Sequence, residues 1–289
     1  PVPAMFRTAL QAGIKHFILE GSEAGGHVGK LGTAVLTQYV VQELLEEAAK
    51  GRDLSQLSIV VAGGFSDRTS AHFAAGMLYR LHNLGVAVGI QMGTAYLLTH
   101  EAVESGALSP VFQEMALESE GTRLLGRTVN TPTRVLCSAA ADRLLENEAL
   151  RLREGVRLKT RKEHYEDDNF GGLRAAAKAQ AVEFTDETRK HTRLAKITPG
   201  VQRETGLFHA GQTVALLDQT RSALELNLEM TLPIGGVNRS SVEHLPEQKN
   251  VLSEPESSGQ SLVAISDAPI SESEIQSKSV TPESEKTTL

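Results

Sequence analysis

A chain of 289 residues, 40% hydrophobic and 22% charged, has ordinary globular composition and is long enough for one large domain or two small ones. Its net charge of −7, with no basic block interleaved with aromatics, argues against nucleic acid as a partner, and no apolar run approaches the ~18 residues of a membrane span. The single cysteine, Cys137, rules out an internal disulfide; together with the lack of a signal-peptide pattern this predicts a reducing, cytoplasmic setting.

Residues 3–13 predict a helix, with Met5, Phe6, Ala9 and Leu10 on one face and Gly13 as its stop. An apolar run over 14–20 predicts a buried strand. It leads into Glu20-Gly-Ser-Glu-Ala-Gly25-Gly26-His27-Val-Gly29, with three glycines and one histidine in five residues. Glycines let backbone N–H groups approach a ligand unobstructed, and a histidine sets a proton carrier beside it. Residues 33–50 predict an amphipathic helix carrying Val35, Leu36, Tyr39, Val40 and Leu44 at helical spacing. A strand over 57–62 ends in Gly63-Gly64. A helix over 67–84, N-capped by Asp67, stops at Gly85. A third strand, over 86–92, ends in Gly93-Thr94. Strand then helix, repeated at roughly thirty residues, is the βαβ pattern of parallel strands. Runs apolar on both faces predict strands covered on both sides.

Beyond Thr94 the pattern changes. Helices are expected over 99–106, 110–119, 138–153, 172–181 and 213–224, with a short extended piece over 122–129 and a charged loop over 159–168. From about residue 237 the chain is rich in Ser, Glu and Pro and poor in aromatics, too little apolar surface to offset its ordering entropy. The expected division is therefore 1–110 for the βα units, 111–236 for a helical extension and 237–289 for a disordered linker or tail.

The three glycine turns follow the C-terminal ends of parallel strands. In a (β/α)8 barrel those ends form the active face, and a phosphate site follows strands seven and eight. Exposed N–H groups at Gly63-Gly64 and at the helix start Gly93-Thr94 suit a dianion. The plainer reading is three tight turns with no ligand and an exposed His27. The first turn is no P-loop, because Ala24 stands at the leading glycine and Leu31 where a magnesium-binding Ser or Thr belongs. His100-Glu101 opens like a zinc-protease motif, but Glu104 replaces the second histidine, so no metal site is expected. Cys137 reads as a small hydrophobe, and His72 and His82 as surface or interface residues. His209, just ahead of Gly211-Gln212, is a candidate to return toward the active face.

The stretch Glu20 to His27, then Ala62-Gly63-Gly64, then Gln91-Met-Gly93-Thr94-Ala-Tyr-Leu97 resemble the last three strand ends of the nitronate monooxygenase family. That family, formerly the 2-nitropropane dioxygenases, includes FMN-dependent enoyl-ACP reductases. Residues 92–103, Asn169 to Arg174 and Gly206 to Gln212 resemble the branch fused into polyketide- and fatty-acid-synthase-type multienzymes. The resemblance implies an α/β fold, the C-terminal portion of an FMN-binding TIM barrel holding about strands six to eight. No earlier strands are readable, and a chain starting at Pro1 without methionine suggests a start inside a larger reading frame. By motif match Gly25 and Gly26 face the flavin, and Ala62, Gly63, Gly64, Gln91, Gly93 and Thr94 hold its phosphate end. His27 matches the active-site histidine, a base or hydrogen-bond partner in nitronate oxidation and a proton donor in enoyl reduction. The implied function is FMN-dependent oxidation of nitronates or nitroalkanes. Reduction of a carrier-bound enoyl thioester, with NADPH or NADH as reductant and acyl-carrier and synthase domains as partners, is the alternative. A truncated, non-catalytic remnant or docking segment is the third possibility.

Overall fold

The computed structural model describes residues 3–186 and 191–231, all within one unit, Pro1–Gly236. The expected tail over 237–289 lies outside the described residues. Helix α1 (Pro3–Gln11) ends before Gly13, which takes φ +85, and β1 (His16–Glu20) follows. The first glycine turn then folds into a two-residue strand, β2 (Gly26–His27), where a loop alone was expected. Helix α2 (Thr33–Ala49) buries Leu36, Val40 and Leu44 along one face. Strand β3 (Ser58–Ala62), helix α3 (Arg68–Asn83) and strand β4 (Ala87–Gln91) continue the alternation. Asp67 caps α3 as its position predicts. Its carboxylate accepts from the Ser70 N–H at 2.7 Å, and the Ser70 hydroxyl accepts from the Asp67 N–H at 3.1 Å.

Strands β1, β3 and β4 form a parallel sheet in the order β1-β3-β4. Phe17, Leu19, Ile59, Val61, Val88 and Ile90 alternate toward the helices, where Phe6, Leu36, Leu44, Leu78 and Leu81 complete a core. Each fully buried aliphatic side chain there stabilises the fold by ~1.5–3 kcal/mol. The register pairs Glu20 with Ala62 and Ala62 with Gln91. The three C-terminal ends are therefore level, and the glycine turns leave the sheet in one row. The opposite face differs from expectation. Ile18 is 63% exposed there, and Val60 and Gly89 are only half-buried. Among the described residues β1 and β4 each pair only with β3. An apolar run shows that a strand can be covered on both sides, but it does not provide the cover.

After β4 come three helices, α4 (Thr94–Leu97), α5 (His100–Glu104) and α6 (Pro110–Glu118). Ser109 caps α6, with Pro110 at the first helical position. Strands β5 (Thr122–Leu125) and β6 (Thr133–Leu136) pair antiparallel, and β6 also takes β2 on its other side. Only the first part of the expected extended piece over 122–129 is strand, because Gly126 turns left-handed and a 3-10 turn follows at Arg127–Val129. Helices α7 (Ala139–Arg153) and α8 (Leu158–Asn169) come next. The expected charged loop over 159–168 is thus helical. Tyr165 is buried, Arg161 donates to the carbonyls of Val156 at 3.0 Å and Thr128 at 3.2 Å, and Asp168 pairs with Arg151 at 2.6 Å. Helix α9 (Gly172–Lys178) stops short of 181 because Ala179 adopts φ 51 and β7 (Gln180–Phe184) begins. Strand β7 pairs antiparallel with β8 (Thr192–Lys196), and α10 (Pro199–Thr205) follows. The single helix expected over 213–224 resolves into a 3-10 turn, Gln212–Leu216, and α11 (Ala223–Thr231). The stretch beyond 111 therefore holds strands β5 to β8 as well as helices. Among the described residues no helix is long and apolar enough to cross a membrane.

Candidate active site

A cavity of about 160 Å³ lies where the level strand ends meet. Its wall comes from the three turns: Gly25, then Ala62, Gly63 and Gly64, then Gln91, Gly93 and Thr94. Seven of the nine site residues expected from the sequence therefore share one cavity. The other two, Gly26 and His27, stand beside it in β2, with His27 exposed. Gly63 and Gly64 both hold left-handed backbone, φ +94 and +86, which side chains strain to adopt. Gly25 answers a different demand: a Cβ there would meet the Ala210 carbonyl carbon at 2.5 Å. Larger depressions of about 520 Å³ beside Cys137 and about 490 Å³ beside Phe170 gather none of the expected site residues, so size does not select the site.

Hydrogen bonds hold the turns in place. The Glu23 carboxylate accepts from the Thr33 N–H at 2.8 and 3.1 Å, capping α2 where Gly32 has no side chain to do so. The Thr33 hydroxyl lies 2.9 Å from Glu23 Oε2 and 2.8 Å from the Gly63 carbonyl, and can donate to either. First and second turns are thus tied through one threonine. Arg134, buried in β6, donates to the Ser22 carbonyl at 2.8 and 3.1 Å and to the Thr122 hydroxyl at 2.8 Å. Burial lowers its pKa, opposed by the charge of Glu23.

Sequence reasoning missed part of the wall. Glu20, Glu23, Ala24, Phe65, Gly211 and Thr213 also line the cavity. The last two arrive on the segment after α10. Gly211 N–H donates to Thr94 Oγ1 at 2.8 Å, Gln212 N–H to the Glu23 carbonyl at 2.9 Å, and Leu136 N–H to the Phe208 carbonyl at 2.8 Å. The glycine-bounded motif Gly206 to Gln212 was the available signal, and His209 does return to this end of the molecule.

Two groups near the cavity have altered acidity. Burial raises the Glu20 carboxyl above its ordinary range, while His27 draws it partly back. Burial brings the His209 imidazole down to about 4, and His27 pushes in the same direction. Among the described residues no Lys or Arg lines the cavity. Its polar wall is backbone, Gln91, Thr94, Thr213 and two carboxylates, one of them engaged by Thr33. The arrangement suits a group that accepts hydrogen bonds from turn N–H groups, with an exposed imidazole beside it to hold a proton.

FabK from Thermotoga maritima shares the fold with TM-score 0.51 and 20% identity, over 79% of this chain and 57% of that one. A relative from Mycobacterium tuberculosis (strain ATCC 25618 / H37Rv), (3aS,4S,5R,7aS)-5-hydroxy-7a-methyl-1-oxo-octahydro-1H-indene-4-carboxyl-CoA dehydrogenase, is 30% identical over 132 residues, 46% of this chain and 32% of the relative. The chain thus spans about a third of that relative's length and little over half of FabK. The nitronate monooxygenase family model matches residues 4–232, a span that contains every residue of the cavity and both histidines beside it. A match of that extent, on a parallel sheet whose glycine turns converge, makes the chain a member of the nitronate monooxygenase family.

Proposed function

We propose that the cavity holds the phosphate end of FMN, and that the protein is an FMN-dependent oxidoreductase acting on nitronates or nitroalkanes. The observation that carries this reading is the convergence of Gly25, Gly63, Gly64, Gly93 and Thr94 on one cavity at the level end of the sheet. The residues present fit the group. A volume of about 160 Å³ takes a phosphate and not a tricyclic ring, and no Cβ projects from positions 63, 64 and 93. Of the two carboxylates in the wall, Glu23 is engaged by Thr33, and the raised pKa of Glu20 moves it toward its neutral form. Bound FMN supplies electron and hydride transfer. In this reading Gly25 and Gly26 face the flavin ring, and His27 serves as base or hydrogen-bond partner to the substrate.

The three parallel strands stand as about strands six to eight of a (β/α)8 barrel, 1–110 as its βα units and 111–236 as the part packed on it. The exposed Ile18 and the edges of β1 and β4, unpaired among the described residues, support this, because a barrel interior and its closure would cover both. A second reading, reduction of an enoyl thioester with NADPH or NADH, is favoured by the relative named as a carboxyl-CoA dehydrogenase. In it His27 supplies the proton, and acyl-carrier or synthase domains deliver the substrate.

The test uses protein carrying the completing strands, with FMN bound. Oxygen consumption on adding the nitronate of 2-nitropropane supports the first reading. Anaerobic reoxidation by a crotonyl thioester, after reduction by NADPH, supports the second. His27→Ala should lower turnover by about 100-fold or more with flavin retained. Absence of both activities, or full activity of the His27 variant, contradicts the proposal.

A further inference from the structure

We propose that Arg134 is the positioning residue of the first glycine turn, its strand and its buried guanidinium together holding both feet of the arch that leads into His27. The inference rests on reading that turn as part of the active site and His27 as its proton carrier.

The two feet are held in different ways. At the far foot the backbone of β6 pairs antiparallel with β2, setting Gly26 opposite Arg134 and His27 opposite Thr133. The ladder continues one step on, where Val28 N–H donates to the Pro132 carbonyl at 2.9 Å. The near foot is reached by the Arg134 side chain. Its Nε and Nη2 both donate to the Ser22 carbonyl, at 3.1 and 2.8 Å, while Nη1 donates to Thr122 Oγ1 at 2.8 Å. Three donors on two acceptors fix the plane of the guanidinium, a fork that a lysine ammonium does not reproduce. Between the feet stand Glu23, Ala24 and Gly25, and all three line the cavity. One residue therefore sets the span of the arch: its backbone meets one end and its side chain the other.

The cost of placing a charge there supplies the second argument. All four residues of β6 are buried, Arg134 among them. Among the described residues its hydrogen bonds go to a carbonyl and a hydroxyl, and none goes to a carboxylate. The Glu23 carboxylate, whose charge it feels, is engaged by Thr33. A buried charge without a hydrogen-bonded counter-ion is costly, and a methionine of similar length would fill the space without that cost. An apolar side chain cannot grip a carbonyl. The other ties on the arch act between its feet, from Thr33 to the Glu23 carboxylate and from Gln212 N–H to the Glu23 carbonyl, so they do not duplicate the hold on Ser22.

The experiment is residue-resolved amide hydrogen exchange of the full chain. Arg134→Met should speed exchange of the arch amides Ser22, Ala24 and Val28, which are bonded to the carbonyls of Leu31, Gly21 and Pro132, by about tenfold or more. The Ala87 amide, bonded to Leu57 in the parallel sheet, should change by less than about twofold. Arg134→Lys, which keeps the charge and loses the fork, should restore part of the protection. Should the methionine variant not fold, Thr122→Val carries the test: it releases Nη1 without removing the charge, and the arch amides should exchange about threefold faster or more, again with Ala87 steady. Acceleration spread evenly over arch and sheet, or an arch indifferent to the variant, overturns the inference. In FMN-loaded protein carrying the completing strands, Arg134→Met should lower kcat by about tenfold or more with flavin retained. Combined with His27→Ala it should add no further loss, because Arg134 acts through His27; additive losses overturn the inference. The exchange signals need neither flavin nor substrate, so failure of the FMN reading leaves them legible. Turnover on flavin with an arch indifferent to Arg134 would sink this inference alone.

Discussion

Glu20 shows how one side chain at the cavity lip couples the site to stability. Burial raises its carboxyl above 4.5, so the folded chain holds that proton more tightly than the unfolded chain does. A group of this kind contributes stability fully below its unfolded value and loses it as pH rises through its folded value. Glu20→Gln has no titration to lose. Urea unfolding from about pH 4 to about pH 7 should therefore show the variant gaining on wild type as pH rises, and an unchanged difference would refute the sign. Other residues explain why the site was only partly legible. Gly25, Gly63, Gly64, Gly93 and His27 stand out because they are clustered and follow strands. The role of Glu23 was hidden, since it caps a helix that begins ten residues later at Thr33 rather than within the three-residue reach of a capping box. Gly211 and His209 lie more than a hundred residues from Thr94 and His27, and no local pattern encodes that return.

At the scale of elements, local signals were sufficient where a cap and an apolar face coincide. Helix α3 has both, with Asp67 and Ser70 bonded reciprocally. Asp67→Ala should cost about 1 kcal/mol in urea-unfolding free energy, and Asp67→Asn much less. No loss in the alanine variant would show that packing alone sets where α3 begins. Helix α6 combines a Ser109 cap with Pro110 at its first position and was expected from residue 110. Thr198-Pro199 carries the same signal for α10, yet that helix went unread because its short apolar face is hardly periodic. Helix α8 was obscured for the opposite reason: charge dominates it and a single buried side chain, Tyr165, anchors it. Strands β6, β7 and β8 are four or five residues long and gain their identity from partners. Glu183 faces Arg193 across β7 and β8 at 2.7 Å, a pairing that only the hairpin creates.

For the molecule as a whole, the parallel register is what turns three separate loops into one site. It brings Glu20, Ala62 and Gln91 level, and the segment after α10 closes the row through Thr94 and Glu23. The same sheet leaves Ile18 exposed and two strand edges unpaired among the described residues, so flavin affinity should be low for this chain alone and rise when complementary strands are supplied. The central claim is that the glycine turns grip a phosphate. Riboflavin has the ring of FMN without that phosphate, so comparing the two by flavin fluorescence isolates the contribution. FMN should bind at least about tenfold tighter, roughly the effect of one or two charge-assisted hydrogen bonds. Gly64→Val, which forces a β-branched side chain into φ +86 at the cavity wall, should erase the preference while leaving riboflavin binding unchanged. Equal affinity of the unaltered protein for FMN and riboflavin would contradict the account.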